Sequence, residues 1–249
     1  AAMSPVRLDV RDLHLDYGQE VVLRGVDLRV HGGELLGLIG PNGSGKSSLL
    51  RACIGTLECR GELAVDGIDP RREPLAARSR LGYAVDPATL PGALRGRQCI
   101  ELVARVRGLD SSAIEQAHAL CRQLALSPWI ERDVAAYSLG TRQKLAVVLA
   151  LLGDPPVLLL DEVLNGLDPL AAWQLKQILR ERADAGSAIV LATHGLDVAE
   201  RHLDRAALLL DGRIAADWDS AELARLRASP GGLEAAVVEH LRAHGNHDS

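Results

Sequence analysis

The sequence predicts an α/β fold with a mainly parallel sheet, an N-terminal antiparallel β segment and an inserted helical subdomain. Two unbroken apolar runs, Leu35-Leu36-Gly37-Leu38-Ile39 and Val157-Leu158-Leu159-Leu160, read as strands buried on both faces, the pattern of a parallel sheet. Between Val6 and Val30 apolar and polar residues instead alternate in pieces (Val6, Leu8, Val10; Leu13, Leu15, Tyr17; Val26, Leu28, Val30), as in antiparallel strands with one wet face. From Gln98 to Leu126 the period becomes helical, with breaks at Gly108-Leu109-Asp110 and Ser127-Pro128. A helical insertion over residues 87–137 follows from this change of period.

The run ending at Ile39 leads into Gly40-Pro41-Asn42-Gly43-Ser44-Gly45-Lys46-Ser47, which fits the phosphate-binding pattern G-x-x-x-x-G-K-[S/T] at every position. Its glycines let the backbone fold tightly round a phosphate, so that successive N–H groups and the positive end of the next helix point at the anion. Lys46 adds a mobile positive charge for the outer phosphates, and the Ser47 hydroxyl, followed by Ser48, is placed to hold Mg²⁺. The segment from Lys46 to Ile54 carries Leu49, Leu50 and Cys53 at helical spacing. Strand, glycine loop and helix stand in the order a P-loop NTPase core demands, and an ordinary glycine-rich turn would leave the Lys46-Ser47 pair unexplained.

Leu63–Val65 and Leu81–Ala84 read as short strands, and Thr141–Leu152 as an apolar-faced helix ended by Gly153-Asp154-Pro155-Pro156. A helix over Leu170–Ala185, a strand over Ala188–Ala192 and a helix over Leu196–His202 continue the α/β alternation. Ser220 caps a helix reaching about Arg227, Ser229-Pro230-Gly231-Gly232 breaks it, Leu233–Ala243 forms a final amphipathic helix, and Gly245–Ser249 is expected to fray. The expected organisation is one domain over residues 3–249. It divides into a nucleotide-binding core (6–86 and 138–217), the helical subdomain (87–137) and C-terminal helices with a tail (218–249).

With 249 residues, 47% of them hydrophobic, the chain can bury the core of one large domain. A net charge of −5 argues against a surface built mainly to hold nucleic acid or anionic lipid. The arginines between Arg71 and Arg107 read as the solvated face of helices. Cys53, Cys59, Cys99 and Cys121 form no C-x-x-C pair, so neither a zinc site nor a disulfide framework is expected, and a reducing cytosol suits them. No apolar run approaches the ~18 to 20 residues needed to cross a bilayer, and no signal-peptide pattern follows Met3.

The run Val157–Leu160 ends in Asp161-Glu162, two carboxylates at the C-terminal edge of the sheet, where ligands of open α/β folds collect. Asp161 would face the Mg²⁺ held by Ser47. Glu162 would polarise the water that attacks the γ-phosphorus. Phosphoryl transfer needs positioning and charge neutralisation more than covalent chemistry, so these two acids suffice.

Between the two halves lies Tyr137-Ser138-Leu139-Gly140-Thr141-Arg142-Gln143-Lys144. The glycine loop, this segment, the Asp161-Glu162 strand, Asn165-Gly166-Leu167-Asp168 and Ala192-Thr193-His194 follow one another in the order of the ATP-binding cassette (ABC) ATPases. The chain resembles that family over roughly Val6 to Arg213. The resemblance implies ATP and Mg²⁺ as ligands, with Tyr17 stacking on adenine and His194 contacting the γ-phosphate beside Lys46 and Glu162. Ser138 and Gly140 match the signature loop, which in this family contacts the γ-phosphate bound by the opposite subunit. Asp168 matches the loop that couples the two sites, so a complete site needs two chains.

Two departures stand out. The usual signature is Leu-Ser-Gly-Gly-Gln, whereas Tyr137, Leu139 and Thr141 occupy its first, third and fifth places here. A Tyr-Ser-Leu-Gly variant resembles the branch serving peptide-antibiotic and drug exporters, and Gly232-Leu233-Glu234-Ala235-Ala236-Val237 is similar to a Leu-Glu element near the end of that branch. Where most members have Gln after Gly82-Tyr83, this chain has Asp86. An ionised acid cannot donate a hydrogen bond, so coordination through Mg²⁺ or water is expected there.

The resemblance thus implies an ATP-hydrolysing subunit that powers a separate transmembrane permease, an exporter, with two copies closing head to tail over two ATP. It would be cytoplasmic and peripheral on the inner face of the cell membrane, reaching the membrane only through the permease, with no nucleic-acid partner. A soluble ABC ATPase acting on DNA or ribosomes would usually carry a coiled coil, zinc module, second cassette or basic arm, and none is visible. A P-loop kinase or GTPase would leave the Ser138 segment without a purpose, and no Asn-Lys-x-Asp guanine reader is present.

Overall fold

The computed structural model describes residues 4–195 and 202–245. Strands β1 (Val6–Tyr17) and β2 (Glu20–His31) form an antiparallel hairpin. Leu8 and Val10 of β1 face the core, and so do Leu13 and Leu15, an odd number of positions further on. Strict alternation cannot produce this. The register shifts between Val10 and Leu13, where Asp12 takes a φ of 46°, and the extra residue of a bulge re-aims the second half of the strand inward. The separate apolar pieces of the sequence are one strand.

Strand β3 (Leu35–Ile39), buried at every residue, leads through the glycine loop into helix α1 (Lys46–Cys53). Strand β4 begins at Arg60, ahead of the apolar Leu63, runs to Val65 and pairs with the edge of β1 opposite β2. The second sheet adds β5 (Leu81–Ala84), β6 (Val157–Asp161), β7 (Ala188–Thr193), β8 (Arg205–Leu210) and β9 (Arg213–Trp218) in the order β5-β6-β7-β3-β8-β9. It is parallel from β5 to β8, and β9 returns antiparallel. Because β6, β7 and β3 are parallel neighbours, the residues after Asp161, Thr193 and Ile39 emerge at one edge. That juxtaposition places the site.

Leu158 and Leu160 point into one apolar cluster and Val157 and Leu159 into another, which is why this strand is apolar without alternation. The second cluster fills the space between the two sheets and takes in Leu49, Leu50 and Cys53 of α1. On the opposite face lie α3 (Gly96–Val106) and α4 (Ser111–Gln123), packed on α5 (Leu139–Leu151), together with α6 (Pro169–Asp184), α7 (Ser220–Arg227) and α8 (Gly232–Gly245). A further short helix, α2 (Pro74–Ser79), precedes β5. The break between α3 and α4 falls at Gly108, with φ 66°, and at Asp110, whose carboxylate accepts from the Ser112 and Ala113 N–H groups and caps α4.

The β8–β9 hairpin was not among the elements expected. Its turn is Asp211-Gly212, with φ 46° and 74°, the left-handed pair that an Asp-Gly type I′ turn provides. Arg71 and Arg107 also differ from the solvated face expected of them. Arg71 donates to the Asp69 carboxylate and to the Cys59 and Gly61 carbonyls, and Arg107 donates to the Leu152 and Leu81 carbonyls. Both are structural clamps, and burial pulls the Arg107 pKa down. The helix expected over Leu196–His202 lies, apart from His202, outside the described residues, as does the chain after Gly245. The four cysteines are unpaired. No helix among the described residues is long and apolar enough to cross a membrane.

Candidate functional site

The loop from Gly40 to Gly45 joins β3 to α1, and its glycines meet different demands. Gly43 and Gly45 take φ of 83° and 105°, a region that L side chains avoid. A Cβ on Gly40 would overlap the Leu209 carbonyl oxygen and lie 2.7 Å from Ser44 Oγ, and one on Gly45 would lie 2.8 Å from Leu23 Cδ2. A Cβ on Gly43 would meet nothing within 4 Å. The loop is therefore pressed against the protein at Gly40 and Gly45 and open at Gly43. Helix α1 has Gly45 as its N-cap with no side-chain cap, which leaves its first N–H groups for an anion.

Lys46 is buried, and its Nζ donates to the carbonyls of Gly40 and Pro41 at 2.7 and 3.1 Å. Burial pulls its pKa down, while the charges of Glu162 and Asp161 pull it back up. Ser44 Oγ and Asp161 Oδ1 are buried without a hydrogen-bond partner among the described residues. Burial pushes the Asp161 pKa up, the Ser47 hydroxyl beside it pulls down, Glu162 pushes up, and Lys46 and Arg51 pull down. A buried carboxylate with an unmatched oxygen is costly unless a ligand supplies the missing partner.

Glu162, the first residue after β6, takes a left-handed φ of 50° while its N–H donates to the Ala192 carbonyl at 2.9 Å. Its Oε1 pairs with His194 Nδ1 at 2.8 Å and lies 4.0 Å from Lys46 Nζ. Its Oε2 accepts from Asn165 Nδ2 at 3.0 Å. The sheet thus brings together Lys46 from the start of α1 after the loop that follows β3, Asp161 and Glu162 from the end of β6, and His194 from the end of β7. Ser47, Asp161, Glu162 and Asp86 line one cleft of about 420 Å³ with Arg51, Tyr83, Leu139, Gln143 and Asn165.

The remaining residues sit round this centre. Tyr17 is 47% exposed, and its Oη lies 3.5 Å from the Ser48 hydroxyl beside the loop, so its ring is free to receive a flat ligand. Asp86 caps a 3₁₀ turn by accepting from the Ala88 N–H at 2.9 Å, which engages one of its oxygens. Ser138 is the N-cap of α5 and accepts from Thr141, while Gly140 packs so closely under Gly166 that a Cβ would lie 2.6 Å from its carbonyl oxygen. Leu139 and Gln143 of the same helix line the cleft, but Ser138 and Gly140 are not among its lining residues. Asp168 caps α6 by accepting from the Ala171 N–H at 2.9 Å and pairs with Lys144 at 3.1 Å. These two contacts hold its carboxyl below the usual range. Tyr137 is buried, and its hydroxyl donates to the Trp129 carbonyl at 2.7 Å, so this departure from the usual signature anchors the segment from beneath.

A family profile described as ABC transporter matches residues 23–165, more than half of the chain. The chain belongs to the ABC transporter family. This ABC domain is 34% identical over 238 residues to the daunorubicin resistance ATP-binding protein DrrA3 of Streptomyces coeruleorubidus, covering 95% of the chain and 74% of that relative. It is 38% identical over 183 residues to the human phospholipid-transporting ATPase ABCA7, where the match covers 73% of the chain but only 8% of the relative's length. A solved structure, "Structure of ATP binding subunit of ABC transporter", superposes with a TM-score of 0.88 at 32% identity, covering 95% of this chain and all of that one. The fold is therefore that of an ABC ATPase, and its relatives place it with the drug-exporter branch.

Among the described residues of this ABC domain, no group of three His, Cys, Asp or Glu could hold a metal ion by itself. The donors present nevertheless fit Mg²⁺: one hydroxyl, Ser47, and the buried Asp161 carboxylate with its unmatched Oδ1. Both are hard oxygen ligands, and a Mg²⁺ bound by one or two protein oxygens completes its shell with water and phosphate. Sequence reading gave no site role to Asn165, Arg51, Tyr83 and Gln143. They enter the cleft through tertiary packing, although Asn165 and Gln143 stand within the segments that carry the family resemblance and Tyr83 stands beside Gly82 ahead of Asp86.

Proposed function

We propose that this chain is the ATP-hydrolysing part of an ABC exporter, in which Glu162 directs the attacking water. The observation that carries this reading is the Glu162 carboxylate, held between Lys46 and His194 at the edge of the sheet beside the open glycine loop. The N–H groups around Gly43 and at the start of α1 would cradle the phosphates, with Tyr17 against the adenine. Lys46 would exchange the Gly40 and Pro41 carbonyls for phosphate oxygens, a charge-assisted contact stronger than the one it leaves. Ser47 and Asp161 would hold Mg²⁺, which neutralises charge on the outer phosphate oxygens when bound. Asp86, with one oxygen already engaged, would reach that ion through water.

Glu162 would accept a hydrogen bond from the water and so orient its oxygen toward the γ-phosphorus. His194 Nδ1 fixes the carboxylate, and the other ring nitrogen is left for a γ-phosphate oxygen. Ser138 and Gly140 are not among the residues lining the cleft, and their match to the signature loop supports a site completed by the signature loop of a second copy and coupled through Asp168. The helical subdomain over 87–137 and the cleft beside Asp86 would meet a transmembrane permease and bring the chain to the inner face of the membrane. Export is supported by the similarity to a drug-resistance ATP-binding protein.

The test is Glu162→Gln, measured by phosphate release and by nucleotide binding. ATP should still bind while turnover falls about 100-fold or more, the scale of a lost general base. Turnover within a fewfold of the parent chain would move the water-directing role elsewhere.

A further inference from the structure

Glu162 is anchored at one oxygen by His194, and the second anchor has no assigned role. We infer that Asn165 is a positioning residue, whose side-chain amide holds the Glu162 carboxylate in the orientation that hydrolysis needs. This rests on the reading of Glu162 given above. Oε2 of Glu162 accepts from Asn165 Nδ2 at 3.0 Å, while Oε1 is taken by His194 at 2.8 Å. Each carboxylate oxygen thus has its own partner, and the group cannot rotate without losing one of them. A neutral amide suits the task because it fixes the carboxylate without cancelling its charge, as a lysine there would.

The platform beneath Asn165 is itself held. Its backbone N–H donates to the Glu162 carbonyl at 3.0 Å, closing a turn. Gly166 next to it packs on Gly140 of α5, and Asp168 is tied to Lys144 of the same helix. Glu162 meanwhile sits at a φ of 50°, a conformation that is strained for an L residue and persists where surrounding contacts fix it. The simpler account is that Asn165 serves the turn alone, since Asn-Gly is a common turn pair. The two accounts separate at Asn165→Asp. Aspartate favours turns as asparagine does, but it would set a second negative charge against Oε2.

The experiment pairs Asn165→Asp and Asn165→Ala with Glu162→Gln and reads kcat, KM for ATP and thermal midpoint. Asn165→Ala should lower kcat ~10-fold with KM within about twofold, the signature of lost positioning, and Asn165→Asp should lower it further. Asn165→Asp should also lower the thermal midpoint of the nucleotide-free parent but not of the Glu162→Gln chain, where the new amide can donate to the new carboxylate. A parent-like kcat for Asn165→Asp, or an equal loss of thermal midpoint in both backgrounds, would overturn the assignment. A Glu162→Gln chain that still turns over would instead remove the reading it rests on, while the thermal comparison would still decide whether the contact exists.

Discussion

The ammonium of Lys46 is buried in a loop that offers it two carbonyls, with Glu162 Oε1 at 4.0 Å. A phosphate would supply stronger, charge-assisted partners, each worth ~1.5–3 kcal/mol. Lys46→Ala should therefore weaken ATP binding by about 10- to 100-fold, as measured by calorimetric titration, and unchanged affinity would count against the loop as the phosphate site. Lys46, Asp161 and Glu162 were legible in the sequence because each directly follows a strand or glycine pattern that fixes its place. Asn165 was not, because its value lies in one contact to Glu162 that only the folded loop creates. The replacement at Tyr137 was visible as a departure, but its cause, a hydroxyl bonded to the Trp129 carbonyl beneath the signature segment, belongs to tertiary structure.

At the scale of elements, strands buried on both faces announced themselves. β3 and β6 are runs of apolar residues, and their side chains do divide between two cores. β1 was legible only in pieces, because the bulge at Asp12 breaks the period that identifies a strand. In the β8–β9 hairpin, β8 carries the same kind of apolar run, Ala206–Leu210, and only β9 is weakly marked, with Trp218 its one buried residue. The Asp211-Gly212 turn matters beyond the hairpin: the Arg24 N–H of β2 donates to the Gly212 carbonyl at 2.8 Å, and a Cβ on Gly212 would overlap the Val22 carbonyl oxygen. With φ at 74° as well, Gly212→Ala should destabilise the fold by ~1–3 kcal/mol. Urea unfolding would show this as a lowered midpoint at unchanged slope, and a parent-like midpoint would mean that the two sheets are not joined there as described.

For the whole molecule, the site gathered in one chain contains a glycine loop and the two acids Asp161 and Glu162, while Ser138 caps α5 and neither it nor Gly140 is among the residues lining that cleft, although Leu139 between them is. A head-to-tail pair of copies would bring each signature segment to the other chain's loop. The most direct measurement mixes two variants that should each be inactive alone, Lys46→Ala and Ser138→Arg. In a head-to-tail pair of unlike chains, one of the two sites draws its loop from the Ser138→Arg chain and its signature from the Lys46→Ala chain, so that site is intact. ATP hydrolysis should reappear on mixing. A mixture no more active than its parts would contradict a site shared between two copies.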